Sequence, residues 1–175
     1  TVYEDEHAAV TDILASTQRL TEATQIYQYK NASPEHPLTM TLRIVNPNFE
    51  DGTTGWENDG MLTQTNTSFP GKSGTTYLER WVNIGSKVPD VGIRQTLEGI
   101  PDGKYRLRAA VGNIQQNGAN STVNAGEKQT GVTLYAGIYD MPVDTMKAHK
   151  DLYFTVVDGQ VTIGFKAENA TGNWI

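Results

Sequence analysis

Leu152-Tyr-Phe-Thr-Val-Val-Asp-Gly-Gln-Val-Thr-Ile-Gly-Phe-Lys-Ala167 carries the reading of the fold. Leu152, Phe154 and Val156 alternate with Tyr153, Thr155 and Val157, and a second apolar run follows from Val161 to Ala167. Period two marks a strand, because successive side chains point to opposite faces. Asp158 and Gly159 separate the runs, and both tolerate the positive φ of a tight hairpin. The same period recurs outward, predicting strands at Lys104–Val111, Gly92–Leu97, Gly131–Ile138, Tyr77–Ile84 and Met40–Val45. In Ile100-Pro-Asp-Gly-Lys104, Pro101 is preset for the first turn position and Gly103 for a left-handed one. No helical pattern separates these strands, which excludes parallel βαβ units. The prediction is a mainly β chain of antiparallel sheets, a sandwich or jelly roll. Gln115–Thr130, rich in Asn, Gly, Ser and Thr, reads as a long surface loop.

The first 37 residues follow a different period. Val10, Ile13, Leu14, Thr17, Leu20, Ala23 or Thr24, and Tyr27 repeat at helical spacing, and no Gly or Pro interrupts Thr1–Lys30. Pro34 and Pro37 end the helix and begin a linker. Residues 1–37 are therefore read as a helical tail and 38–175 as the β domain. A lone helix of this length is marginal in water, so its stripe is expected to pack on the following domain or on an upstream helical segment. Its polar face is acidic, unlike that of a membrane-surface helix.

Composition removes several function classes. The chain has no cysteine, which excludes thiol catalysis, disulfide frameworks and Cys-ligated metals. A net charge of -6, with no run of Lys and Arg, argues against nucleic acid as a partner. No apolar run is long enough for a membrane span. His7, His36 and His149 lack metal-binding spacing, and neither a nucleophile elbow nor a phosphate loop occurs. The chain is read as no enzyme in itself.

Asn46-Pro-Asn-Phe-Glu-Asp-Gly-Thr-Thr-Gly-Trp56 resembles the opening of galactose-binding-like jelly-roll domains. Ser73–Trp81, Gln95–Leu107, Gly159–Phe165 and Ala170–Trp174 extend the resemblance over most of Asn46–Ile175. Together they look like carbohydrate-binding modules attached to glycosidases and to surface glycan-binding proteins of gut bacteria. The resemblance implies non-catalytic binding of an oligo- or polysaccharide, adjacent domains in a parent protein, and a periplasmic, cell-surface or secreted location. A structural spacer and a fragment of a glycoside hydrolase are the alternatives. Family members usually continue past the Gly-Asn-Trp segment with a final strand, so the last strand is expected to be missing and both ends are read as cuts. The resemblance also implies a structural calcium ion, with Glu50 and then Asp51 as acidic candidates.

Sugar binding needs aromatic faces for the apolar side of a pyranose ring and planar polar groups for its hydroxyls. Trp56 is expected in the core, and Trp174 is either a platform or edge filling. Tyr77, Glu79 and Trp81 share one strand face and are either structural or in contact with ligand. A buried Glu79 requires a partner, for which Arg94 is a candidate. Tyr105, Leu107, Ala109 and Val111 read as core. Asn113 and Gln115 continue their face, either to meet sugar hydroxyls or to lead into the loop.

Overall fold

A computed structural model describes residues 10–119, 121, 123–126 and 128–175. The chain divides into two compact units, Thr1–Met40 and Thr41–Ile175. In the first, helix α1 spans Val10–Asn31; the part of the predicted helix before Val10 lies outside the described residues. The Asn31 side chain closes its end by donating to Tyr27 O at 2.7 Å. Thr17 and Thr24, counted in the stripe by spacing, donate their hydroxyls to Ile13 O and Leu20 O one turn back. Ile13, Leu14 and Leu20 lie on the surface of this unit, in which α1 is the single helix or strand among the described residues.

The second unit is mainly β and antiparallel. Its strands are β1 (Glu57–Asp59), β2 (Leu62–Gln64), β3 (Tyr77–Glu79), β4 (Val91–Glu98) and β5 (Gly103–Val111), followed by β6 (Val132–Ala136), β7 (Tyr139–Pro142), β8 (Lys147–Val156) and β9 (Gln160–Ala167). Five form one sheet in the order β1-β4-β9-β6-β7, while β2 pairs with β3 and β5 with β8. Alternation sorts the side chains as the sequence predicts. Val91, Ile93, Val132, Leu134, Val161 and Ile163 of the large sheet are buried, as are Leu152, Phe154 and Val156 of β8. Single bridges Trp81↔Trp174 and Ile114↔Trp174 connect the end of the chain to the segments after β3 and β5.

Asp158 and Gly159 take the predicted positive φ, 64° and 70°. The strands they join, however, do not form a hairpin ladder. Beyond one bridge, Val157↔Gln160, β8 pairs with β5 and β9 pairs with β4 and β6. The turn carries the chain from one sheet to the other. The turn between β4 and β5 does the same, and its left-handed glycine is Gly99 (φ 63°) rather than Gly103, whose φ of 159° is nearly extended. The two crossings are bonded together: Ile100 N donates to Gly159 O at 2.9 Å, and Gly159 N to Asp102 Oδ1 at 3.0 Å.

Met40–Val45 is not a strand. Thr41–Arg43 forms a single 3-10 turn, and the neighbouring edge of β4 is occupied by β1 through Glu57↔Arg94 to Asp59↔Gly92. Val45 is bonded by a side chain instead of a ladder. Its N–H donates to Gln95 Oε1 at 2.9 Å, and its carbonyl accepts from Gln95 Nε2 and Trp56 Nε1.

Candidate functional site

Of the predicted strand Tyr77–Ile84 only Tyr77–Glu79 forms a ladder, as β3, and Trp81 follows it at a single bridge to Trp174; along the three side chains burial grades from the interior to the surface. Tyr77 is buried, Glu79 is half-buried, and Trp81 is 49% exposed. Tyr77 packs with Ile114 and Trp174 in a small apolar cluster and meets the Phe69 ring at 5.4 Å. Its hydroxyl lies 2.8 Å from Asn66 Oδ1 and 3.1 Å from Glu79 Oε2 and donates to one of them at a time. Burial and then the Glu79 charge push the Tyr77 pKa well above the usual phenol value.

Glu79 is held by three donors drawn from different segments. Trp174 Nε1 donates to it at 2.8 Å, Gln64 Nε2 at 3.2 Å, and the Tyr77 hydroxyl is the third. Arg94, the candidate partner, is elsewhere. It lies on β4 opposite Glu57 and donates to that carboxylate from Nε and Nη2, at 2.9 Å and 2.6 Å, with both side chains more than half exposed. The cross-strand neighbour captured it. Amide and indole N–H groups hold Glu79 in its place.

Trp81 is fixed by a residue that the sequence reading passed over. Its Nε1 donates to Gln116 Oε1 at 2.8 Å, and the same oxygen accepts from Asn173 Nδ2 at 2.9 Å. Gln116 and Asn173 are both buried, and Gln116 N donates back to Asn173 Oδ1 at 2.7 Å. The indole N–H is thus anchored to a buried amide pair while about half of the residue remains exposed. The adjacent Gln115-Gln116 pair was the available signal, since alternation sends the two amides to opposite sides.

No family model, curated protein or solved structure matches the chain. The candidate residues therefore stand on their own geometry. Asn113 is fully buried and donates Nδ2 to Val143 O at 2.8 Å and Thr130 O at 3.2 Å, so it offers no surface to a ligand. Gln115 is a clamp between loops. Its Nε2 donates to Ser86 O at 2.8 Å and Thr171 O at 3.2 Å, and its Oε1 accepts from Gly85 N at 2.7 Å. Trp56 is half-buried against Phe49, with ring centroids 5.3 Å apart, and Trp174 is buried.

Glu50 does not fit a calcium site. Calcium collects six to eight oxygens, whereas Glu50 faces donors: Oε1 accepts from Thr75 N at 2.7 Å and Thr76 N at 3.0 Å, and Oε2 from the Thr75 hydroxyl. The Thr75 hydroxyl and the Thr76 amide hold its pKa below the usual carboxylate range. Asp51 is exposed beside it, and among the described residues no three acidic or histidine side chains converge.

The absence of a basic run in the sequence concealed a basic face. In Gly103-Lys-Tyr-Arg-Leu-Arg108, alternation puts Lys104, Arg106 and Arg108 together on the exposed side of β5, with Tyr105 and Leu107 on the other.

Proposed function

We propose that the β unit is a non-catalytic carbohydrate-binding module of jelly-roll type, related to galactose-binding-like domains. It would serve a larger polysaccharide-degrading or glycan-binding protein at the cell surface, in the periplasm or outside the cell. The observation that carries this reading is the Trp81 indole, half exposed and immobilised by Gln116 at 2.8 Å. A flat ring held rigid before the ligand arrives loses little entropy on stacking against a pyranose, which is the condition for useful affinity from one aromatic contact. The half-buried carboxylate of Glu79, two residues away, keeps acceptor capacity for a sugar hydroxyl. Antiparallel sheets whose strands alternate buried apolar and exposed residues support the jelly-roll assignment.

A spacer that docks domains without binding glycan is favoured by one fact. Tyr77 and Glu79 already have partners inside the domain. Glycan-array screening followed by tryptophan-fluorescence titration with the best neutral oligosaccharide separates the two readings. Trp81→Ala is expected to weaken binding about tenfold or more, from loss of both stacking and apolar contact, with the fold intact. An array without hits, or a Trp81→Ala variant that binds as well as the parent, overturns the module reading in favour of the spacer.

A further inference from the structure

The outer face of the β5–β8 ribbon has no role in the Trp81 reading. Its cross-strand pairs are Lys104↔Thr155, Arg106↔Tyr153 and Arg108↔Asp151. Arg108 makes a two-pronged bond to Asp151, 2.7 Å on each arm, and Arg106 reaches the same carboxylate only at 3.8 Å. Lys104 has no acidic partner among the described residues. Three cations thus face one carboxylate, a local positive excess in a chain of net charge -6.

Aromatic surface lies within the same strip. Tyr153 is 67% exposed and stands directly across from Arg106. Beside it a groove of about 180 Å³ runs toward the partly exposed Tyr139 of β7, lined also by Lys104, Tyr105, Phe154 and Thr155. Its floor is rigid, because Tyr105 stacks on Phe154 at 5.7 Å and its hydroxyl donates to Pro101 O at 2.7 Å.

We propose that this face binds an acidic sugar chain, with Tyr153 and Tyr139 stacking against rings and Lys104 and Arg106 holding the anionic groups. Cations two residues apart on a strand are about 6.8 Å apart, with an aromatic ring beside them. A uronate or sulfated chain offers a ring and a charge in every unit and so matches this alternation. A phosphate-backbone tract needs more cations than two uncompensated ones, and the net negative charge repels it at long range. The face is separate from Trp81, which lies by Trp174 and Ile114 beyond the other end of β5.

The test is calorimetric titration of the whole chain with four probes: a galacturonate hexamer, its full methyl ester, a sulfated neutral oligosaccharide of equal length, and an oligothymidylate. Binding of the galacturonate or the sulfated sugar is expected, weakening as salt rises, with the methyl ester far weaker than the free acid if carboxylate is the recognised group. Lys104→Ala with Arg106→Ala, and separately Tyr153→Ala, should each weaken it about tenfold, whereas Trp81→Ala should not. Paired Lys104→Gln and Arg106→Gln remove the charge but keep an unbranched polar stem, and repeat the test should the alanine pair melt early. Failure of both acidic sugars to bind, indifference to Tyr153→Ala, or equal affinity for oligothymidylate overturns the proposal. Acidic-sugar binding without any neutral-glycan binding would sink the Trp81 reading alone.

Discussion

Glu79→Ala removes the acceptor for Trp174 Nε1, Gln64 Nε2 and the Tyr77 hydroxyl, and the three losses are unequal. Gln64 is half-buried and can turn to water, and the Tyr77 hydroxyl keeps Asn66 at 2.8 Å. Trp174 is only 3% exposed, so its N–H is left buried without a partner. Losing a charged acceptor there costs about 1.5–3 kcal/mol, and the missing side-chain stem adds a little more, for a total of about 2–4 kcal/mol. With a urea slope of about 2–3 kcal/mol/M, the unfolding midpoint should fall by roughly 1 M. Tryptophan fluorescence is a direct reporter, since the perturbed group is an indole. Glu79→Gln keeps one acceptor oxygen and should lie between the parent and the alanine variant. Glu57→Ala is the control, because its partner Arg94 is solvated and the pair should contribute little. A Glu79→Ala midpoint no lower than that of Glu57→Ala would refute the view that this carboxylate ties the chain end to β3.

Two further outcomes follow from single contacts. The Tyr77 pKa is raised in the folded state, so its contribution is complete below the unfolded phenol value of 10.0 and is lost as pH climbs above it; Tyr77→Phe should flatten the alkaline fall in stability, by at most about 1.4 kcal/mol per pH unit, and an unchanged slope in denaturation at high pH would count against it. Gly164 sits mid-sheet on β9, where a Cβ would press on the Tyr135 ring and lie 2.6 Å from Ile93 O; Gly164→Ala should cost about 1–3 kcal/mol by overpacking, and an unaltered melting temperature would refute so close an approach of the Ile93 backbone and the Tyr135 ring.

Strands long enough to alternate were legible in the sequence. The inner and outer faces of β4, β5, β8 and β9 follow from side-chain polarity, because each pairs over eight or more residues and presents one face to the core. Glu57–Asp59, Leu62–Gln64 and Tyr139–Pro142 were not, since short polar strands are held by backbone bonds to a neighbour and leave little side-chain signal. Met40–Val45 shows the converse: it alternates, but β1 occupies the edge of β4 opposite β9. At the candidate site, the shared face of Tyr77 and Glu79 could be read from period two. Its partners could not, because Gln116, Asn173 and Trp174 arrive from 35 to 95 residues away and only folding brings them together. The basic face of β5 was legible in principle, since the same alternation that turns Tyr105 to the opposite face gathers Lys104, Arg106 and Arg108.

The paired crossings at Gly99–Gly103 and Val157–Gln160 have a consequence for how the fold avoids error. Each passes directly from a strand of one sheet to a strand of the other, so β9 cannot slip along β4 unless β8 slips along β5 by the same step. A one-residue slip turns every inward side chain outward. Here that fault would strike two sheets at once, exposing Val161 and Ile163 together with Leu152, Phe154 and Val156, and it would break the bonds between Ile100, Asp102 and Gly159. The two ladders proofread one another, and a misaligned chain has no half-correct state in which to rest.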